Sequence, residues 1–130
     1  MKMVIDTSAI ISVITNEAHK DALIDITKNA FLITPESMHA EIGNAFSAML
    51  RRKRISIDMA LKAIRSYEKI PIQFDSIDLE NSLRIAGQLN IYAYDAYFID
   101  CAERNRSPLL SIDEGLIGAA KEYGLQIIEV

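Results

Sequence analysis

Short apolar runs alternate with longer amphipathic stretches along the whole chain. Met3-Val4-Ile5, Phe31-Leu32-Ile33, Ile70–Phe74, Pro108–Ile112 and Gln126–Val130 are compact, apolar and rich in branched residues, and they read as strands. Between them the apolar positions recur at helical spacing. Helices are expected at about Ser8–Thr15, Lys20–Asn29, Asp58–Lys69, Leu79–Asn90, Asp95–Asn105 and Glu114–Tyr123. Ser56 is positioned to cap the third of these, and Gly124 to close the last. A longer helix is expected to start at Thr34 or Pro35, because proline suits a first turn, and to run through about Arg52. Strands alternating with helices imply an α/β fold. A central, mostly parallel sheet of about five strands would be covered by helices on both faces, giving a three-layer α/β/α sandwich.

Composition narrows this picture. The chain has 130 residues, half of them apolar, with only three prolines and five glycines. Residues 1–130 are therefore expected to form one domain with a substantial core and no linker. The single cysteine, Cys101, rules out an internal disulfide framework and reads as a small buried hydrophobe. Only three apolar residues follow Lys2 before Asp6, which is not the pattern of a signal peptide, and no run is long enough to span a bilayer. A cytoplasmic protein with no membrane partner is the expectation. The net charge of −4 does not favour nucleic acid, but Arg51-Arg52-Lys53-Arg54 is a concentrated basic block. Such a block could contact an RNA backbone or an acidic partner, or simply complement the negative end of the long helix.

Four carboxylates carry the candidate chemistry. Asp6 and Asp113 each end a predicted buried strand, the place where open α/β sheets bind ligands. Asp95 falls in the first turn of a helix, on the face shared with Ile99 and Ala102, and Glu41 lies at the margin of the apolar stripe Met38, Ile42, Ala45, Phe46, Met49. Each has a structural alternative: Asp6 and Asp113 can cap helices, Asp95 can answer a helix dipole, and Glu41 can be a solvated surface residue. Four such coincidences are less probable than one site. Gathered acids repel in a low-dielectric crevice and call for a cation. An all-oxygen donor set without a histidine or cysteine cluster suits Mg²⁺ or Mn²⁺ rather than zinc, and His19 and His39 are not spaced as a zinc pair.

These residues resemble a known family. Val4-Ile5-Asp6-Thr7-Ser8-Ala9 is similar to the opening of PIN-domain nucleases. Glu41-Ile42-Gly43-Asn44 is similar to their acidic helix, and Tyr94-Asp95-Ala96-Tyr97 together with Pro108–Asp113 is similar to their C-terminal half. The short chain looks most like the VapC-type toxins of toxin–antitoxin pairs. The resemblance implies acids meeting at the carboxyl edge of the sheet and binding one or two Mg²⁺ or Mn²⁺ ions. It also implies hydrolysis of RNA phosphodiester bonds, a homodimer, and inhibition by a cognate antitoxin. Asp100 departs from the family pattern, in which a small or apolar residue is usual. Pointing away from Asp95 on its helix, it is expected outside the core site, in a salt bridge or a supporting role.

On this reading Asp6, Asp95 and Asp113 hold a metal, and Glu41 binds a second ion or orients the attacking water. Ser8 could hold a metal-bound water or a phosphate oxygen, or could cap the first helix. Asn44, one turn beyond Glu41, could orient it. Two other classes compete. A catalytically silent binding module would use the acids only as caps. A phosphotransfer receiver would need an acceptor Asp after a central strand and a Lys after a late one; the candidate acid is Asp75, and no Lys follows the final strand.

Overall fold

A computed structural model describes residues 1–130. Five strands, β1 (Lys2–Ile5), β2 (Phe31–Pro35), β3 (Ile72–Asp75), β4 (Leu109–Leu110) and β5 (Ile127–Ile128), form one sheet in the order β3-β2-β1-β4-β5. Every pairing is parallel. Met3, Val4 and Ile5 are all buried, as a strand covered on both faces requires. The helices are α1 (Thr7–Ile14), α2 (Lys20–Thr27), α3 (Met38–Arg51), α4 (Ile57–Glu68), α5 (Leu79–Leu89), α6 (Ala93–Arg104) and α7 (Glu114–Tyr123). Contacts link α1 with α2, α3 and α4, while α5 packs on α6 and α7, and α6 lies on β1 and β2. The expected three-layer α/β/α sandwich is the fold.

The strand order determines where a site can form. From β1 the chain builds outward through β2 to β3, then returns to add β4 and β5 on the other side. The junction of β1 and β4 is the topological switch point, where flanking connections leave in opposite directions and open a crevice at the carboxyl edge. Val4 and Ile5 pair with Leu109 and Leu110, and the Asp6 amide extends the ladder by donating to the Leu110 carbonyl at 3.1 Å.

Two elements differ from expectation. The long helix begins at Met38, not at Thr34 or Pro35. Both residues instead complete β2, paired with Phe74 and Asp75 of β3, and the Glu36 amide donates to the Asp75 carbonyl at 2.8 Å. Thr34 is fully buried, and its hydroxyl donates to the Ile5 carbonyl at 3.0 Å. Proline's fixed φ suits either a helix start or the end of a strand, so the strand partner decided. Asp75, the acid a receiver reading would use, closes β3 at the sheet's edge, where its carboxylate accepts hydrogen bonds from Gln73 and Asn105. It has no central position to receive a phosphoryl group. The caps foreseen from the sequence are present: Ser56 accepts from the Met59 amide, and Gly124 closes α7 at φ 102°, a left-handed conformation that favours glycine.

Candidate active site

Asp6 leaves the end of β1 buried, with 3 % of its surface exposed. One carboxylate oxygen, Oδ1, caps α1 by accepting from the Ala9 amide at 3.0 Å. The Ser8 hydroxyl donates to the same carboxylate at 2.8 Å, and the Ser111 hydroxyl donates to Oδ2 at 2.7 Å. Asp6 is thus the cap of α1, and Ser8, already inside the helix, is not. Ser8 also accepts from the Ile112 amide at 3.2 Å, and Ser111 accepts from the Asp113 amide at 3.0 Å. The two serines stitch the ends of β1 and β4 together across the switch point.

Asp113 follows β4, is exposed, and caps α7 by accepting from the Gly115 amide at 2.9 Å and the Leu116 amide at 3.4 Å. Cap and site position therefore coincide for both Asp6 and Asp113. Glu41 is half-buried in the first turn of α3. Thr7 donates to one of its oxygens at 3.2 Å and Ser37 to the other at 3.0 Å. Asn44, expected to orient Glu41, does not do so: Thr7 and Ser37 take that role. Asp95, in the first turn of α6, is half-buried and carries no hydrogen bond on its carboxylate.

The four acids sense one another. Burial pushes the Asp6 carboxyl up to about 6, against the pull of its Ser111, Ala9 and Ser8 hydrogen bonds, and the Asp113 charge adds to the rise. Burial also raises Glu41, whose Ser37 and Thr7 bonds oppose the rise while Asp6 and Asp95 add to it. Burial raises Asp95 too, with Asp113 adding to it. The chain's three ion pairs are Arg84–Glu80, Arg104–Asp100 and Lys121–Glu129, so no Lys or Arg neutralises any of the four. An all-carboxylate set without a basic partner suits a hard divalent cation in its donor chemistry. The side chains do not, as they lie, form a ready-made cage: no three His, Cys, Asp or Glu groups converge closely enough to enclose an ion.

The remaining sequence candidates fall elsewhere. Arg51 ends α3, and Arg52, Lys53 and Arg54 follow it; all four are exposed and unpaired with any acid. At 1.5 Å per residue, Arg51 lies about 15 Å along α3 from Glu41, at the opposite end from the acids. Asp100 is buried, accepts from Arg104 at 2.7 Å and from Asn81 at 2.6 Å, and belongs to the packing of α6 rather than to the acid edge. Sequence reasoning passed over Thr7, Ser37 and Ser111. Ser111 carried a usable signal, because a hydroxyl between Leu110 and Ile112 in a buried run must find a partner. Ser111→Ala removes a donor from Asp6 and an acceptor from the Asp113 amide. It is expected to raise the Asp6 pKa further and, should the acid edge take a divalent ion, to weaken that ion's affinity roughly 10–100-fold, measured by calorimetric titration with Mn²⁺.

Known structures share this architecture. PAE2754 from Pyrobaculum aerophilum is similar with a TM-score of 0.72 at 22% identity, over 92% of this chain and 79% of that one. VapBC2 from Rickettsia felis, bound to a DNA fragment from its promoter, gives 0.67 at 13% identity, over 99% of this chain and 98% of that one. Mycobacterium tuberculosis VapC20, a sarcin–ricin loop cleaving toxin, gives 0.67 at 12% identity, over 98% and 99%. At these identities the likeness is one of fold. No curated protein matches the chain. The PIN domain family model, however, matches residues 3–122, nearly the whole sequence. The chain belongs to the PIN domain family.

Proposed function

We propose that this protein is a Mg²⁺- or Mn²⁺-dependent endoribonuclease of the VapC toxin type, with residues 1–130 acting as one nuclease domain. The observation that carries the reading is the edge itself: four mutually repelling carboxylates at a switch point, with no basic side chain to neutralise them. Asp6, Asp95 and Asp113 would hold one ion, and Glu41 would hold a second or align the water that attacks phosphorus. A bound divalent ion supplies a water of lowered pKa and stabilises charge on the phosphate oxygens. Ser8 and Ser111 fix the Asp6 carboxylate in one rotamer, and Thr7 and Ser37 fix Glu41. Asp95, free of hydrogen bonds, can turn toward an arriving ion. No histidine or cysteine stands among these acids, so direct attack by water fits better than a covalent intermediate.

RNA as substrate is supported by the sarcin–ricin loop cleaving activity of the Mycobacterium tuberculosis neighbour. A cognate antitoxin is supported by the VapBC2 complex from Rickettsia felis. No helix is long and apolar enough to cross a membrane. A cytoplasmic toxin acting as a homodimer is part of the same proposal. Arg51, Arg52, Lys53 and Arg54 would meet the RNA backbone away from the cut, or the antitoxin. The test is titration of Mn²⁺ into partner-free protein beside the Asp6→Asn/Asp95→Asn double variant, followed by incubation of each with single-stranded RNA. Saturable binding and cleavage by the wild type, both lost in a folded double variant, are expected. A folded wild type that binds no Mn²⁺ would refute the reading and leave a silent binding module.

A further inference from the structure

Beside the acid edge lies a hollow of about 350 Å³ lined by Thr7, Ala40, Glu41, Asn44, Ala45 and Tyr94. Its volume falls in the ~300–1,000 Å³ range of small-ligand sites. Thr7 and Glu41 belong to the acid edge, but the other four residues have no part in holding an ion. Ala40 and Ala45 are small and take up little of the space they line. Tyr94 is 59% exposed, although Ala96 and Phe98 on the same helix are buried. It meets Tyr97 in a T-shaped contact, with ring centroids 6.0 Å apart at 84°, which steadies the ring while leaving most of the residue open to solvent. Asn44 is exposed, and its side-chain amide has no partner in the chain; its carbonyl accepts from Ser47 at 2.9 Å.

We propose that this hollow is a nucleobase subsite, taking one unstacked base of a single-stranded RNA next to the phosphate being cut. The inference rests on the nuclease reading and specifies its substrate. A nucleobase is apolar on its faces and polar along its edge, and the hollow offers a match for both. Tyr94 supplies a ring face for stacking, and the Asn44 amide supplies a donor and an acceptor for the base edge. An asparagine amide pairs best with an adjacent acceptor and amino donor, the pattern of adenine. Because Glu41 is shared by the hollow and the acid edge, a base seated on Tyr94 places its own phosphate beside the carboxylates.

The test compares cleavage by the wild type, Tyr94→Ala, Tyr94→Trp and Asn44→Ala on short single-stranded RNAs that differ in the base flanking the cut. Mn²⁺ titration of each variant runs beside it. Tyr94→Ala is expected to lower kcat/KM about ten-fold, through KM, with Mn²⁺ affinity unchanged, and Tyr94→Trp to restore it. Asn44→Ala is expected to flatten the preference among flanking bases. A wild type that binds Mn²⁺ and cleaves RNA while the three variants keep its KM and base preference would overturn the subsite alone. A wild type that neither binds Mn²⁺ nor cleaves would overturn the nuclease reading and the subsite together.

Discussion

Asp6→Asn is expected to make the metal-free protein more stable above about pH 7 while abolishing divalent-ion binding and RNA cleavage. The Asp6 carboxyl is buried, and its pKa stands at about 6 in the fold against 3.8 for the free group. A carboxyl raised on folding binds its proton more tightly in the native state than in the unfolded chain. Its favourable contribution is fully present below about pH 4 and is lost as pH rises through about 6. Above that, the buried charge lowers stability by roughly 3 kcal/mol, two units at about 1.4 kcal/mol each. Asparagine removes the charge but keeps an oxygen for the Ala9 amide, so most of that penalty should disappear. Thermal unfolding followed from pH 4 to pH 8 checks the sign. The wild type should lose stability between about pH 4 and pH 6, and the variant should not.

Added Mn²⁺ should reverse the order. An ion that binds only the folded wild type stabilises it by mass action, and the variant gains nothing. The Mn²⁺ affinity of the wild type should fall as pH drops through about 6, because the ion must displace the proton that Asp6 then carries. The loss of cleavage in Asp6→Asn should exceed the roughly 10–100-fold typical of removing a supporting partner. A variant that cleaves RNA at wild-type rate would show that Asp6 is only a helix cap. Opposite movements of stability and activity under the one substitution would mark a site kept at the expense of stability.

Arg104→Met is expected to destabilise the protein by about 3 kcal/mol, lowering Tm by roughly 10 °C. Asp100 is 1% exposed and sits between two donors, Arg104 Nε at 2.7 Å and Asn81 Nδ2 at 2.6 Å. Arg104 also donates through Nη2 to the Ser76 carbonyl at 2.9 Å, tying α6 to the segment that leads into α5. Methionine preserves the stem but strands a buried carboxylate with only an amide to answer it, while the exposed Ser76 carbonyl turns to water. The reverse change, Asp100→Asn, should cost less, because the Arg104 side chain is about one-third exposed and can turn to water. Thermal melts of the two variants decide this directly; equal losses would mean that the pair contributes only through packing. Mn²⁺ affinity should survive both substitutions if Asp100 lies outside the acid edge, as its partners indicate.

The sequence by itself determined the layering and the position of the two strand-end acids. Unbroken apolar runs such as Met3-Val4-Ile5 are stable only when covered on both faces, and the helical spacing around them supplies the cover. Asp6 and Asp113 could be placed at the sheet's carboxyl edge because each directly follows such a run. Helix ends with a local chemical signal, Ser56 and Gly124, were equally legible. Pro35 was not: its fixed φ fits a helix start and a strand end alike, and only the pairing with Asp75 of β3 settled it. The same limit applies to what holds the acids. Ser111 reaches Asp6 across 105 positions of sequence and Thr7 reaches Glu41 across 34, distances that no local pattern encodes. Tyr94 and Asn44 share a hollow only because α3 and α6 both begin at the same edge of the sheet. Local sequence fixes which groups are present and which way their own backbone runs. Which groups meet, how deeply Asp6 is buried and therefore where it titrates depend on strand order, and only the folded chain decides that.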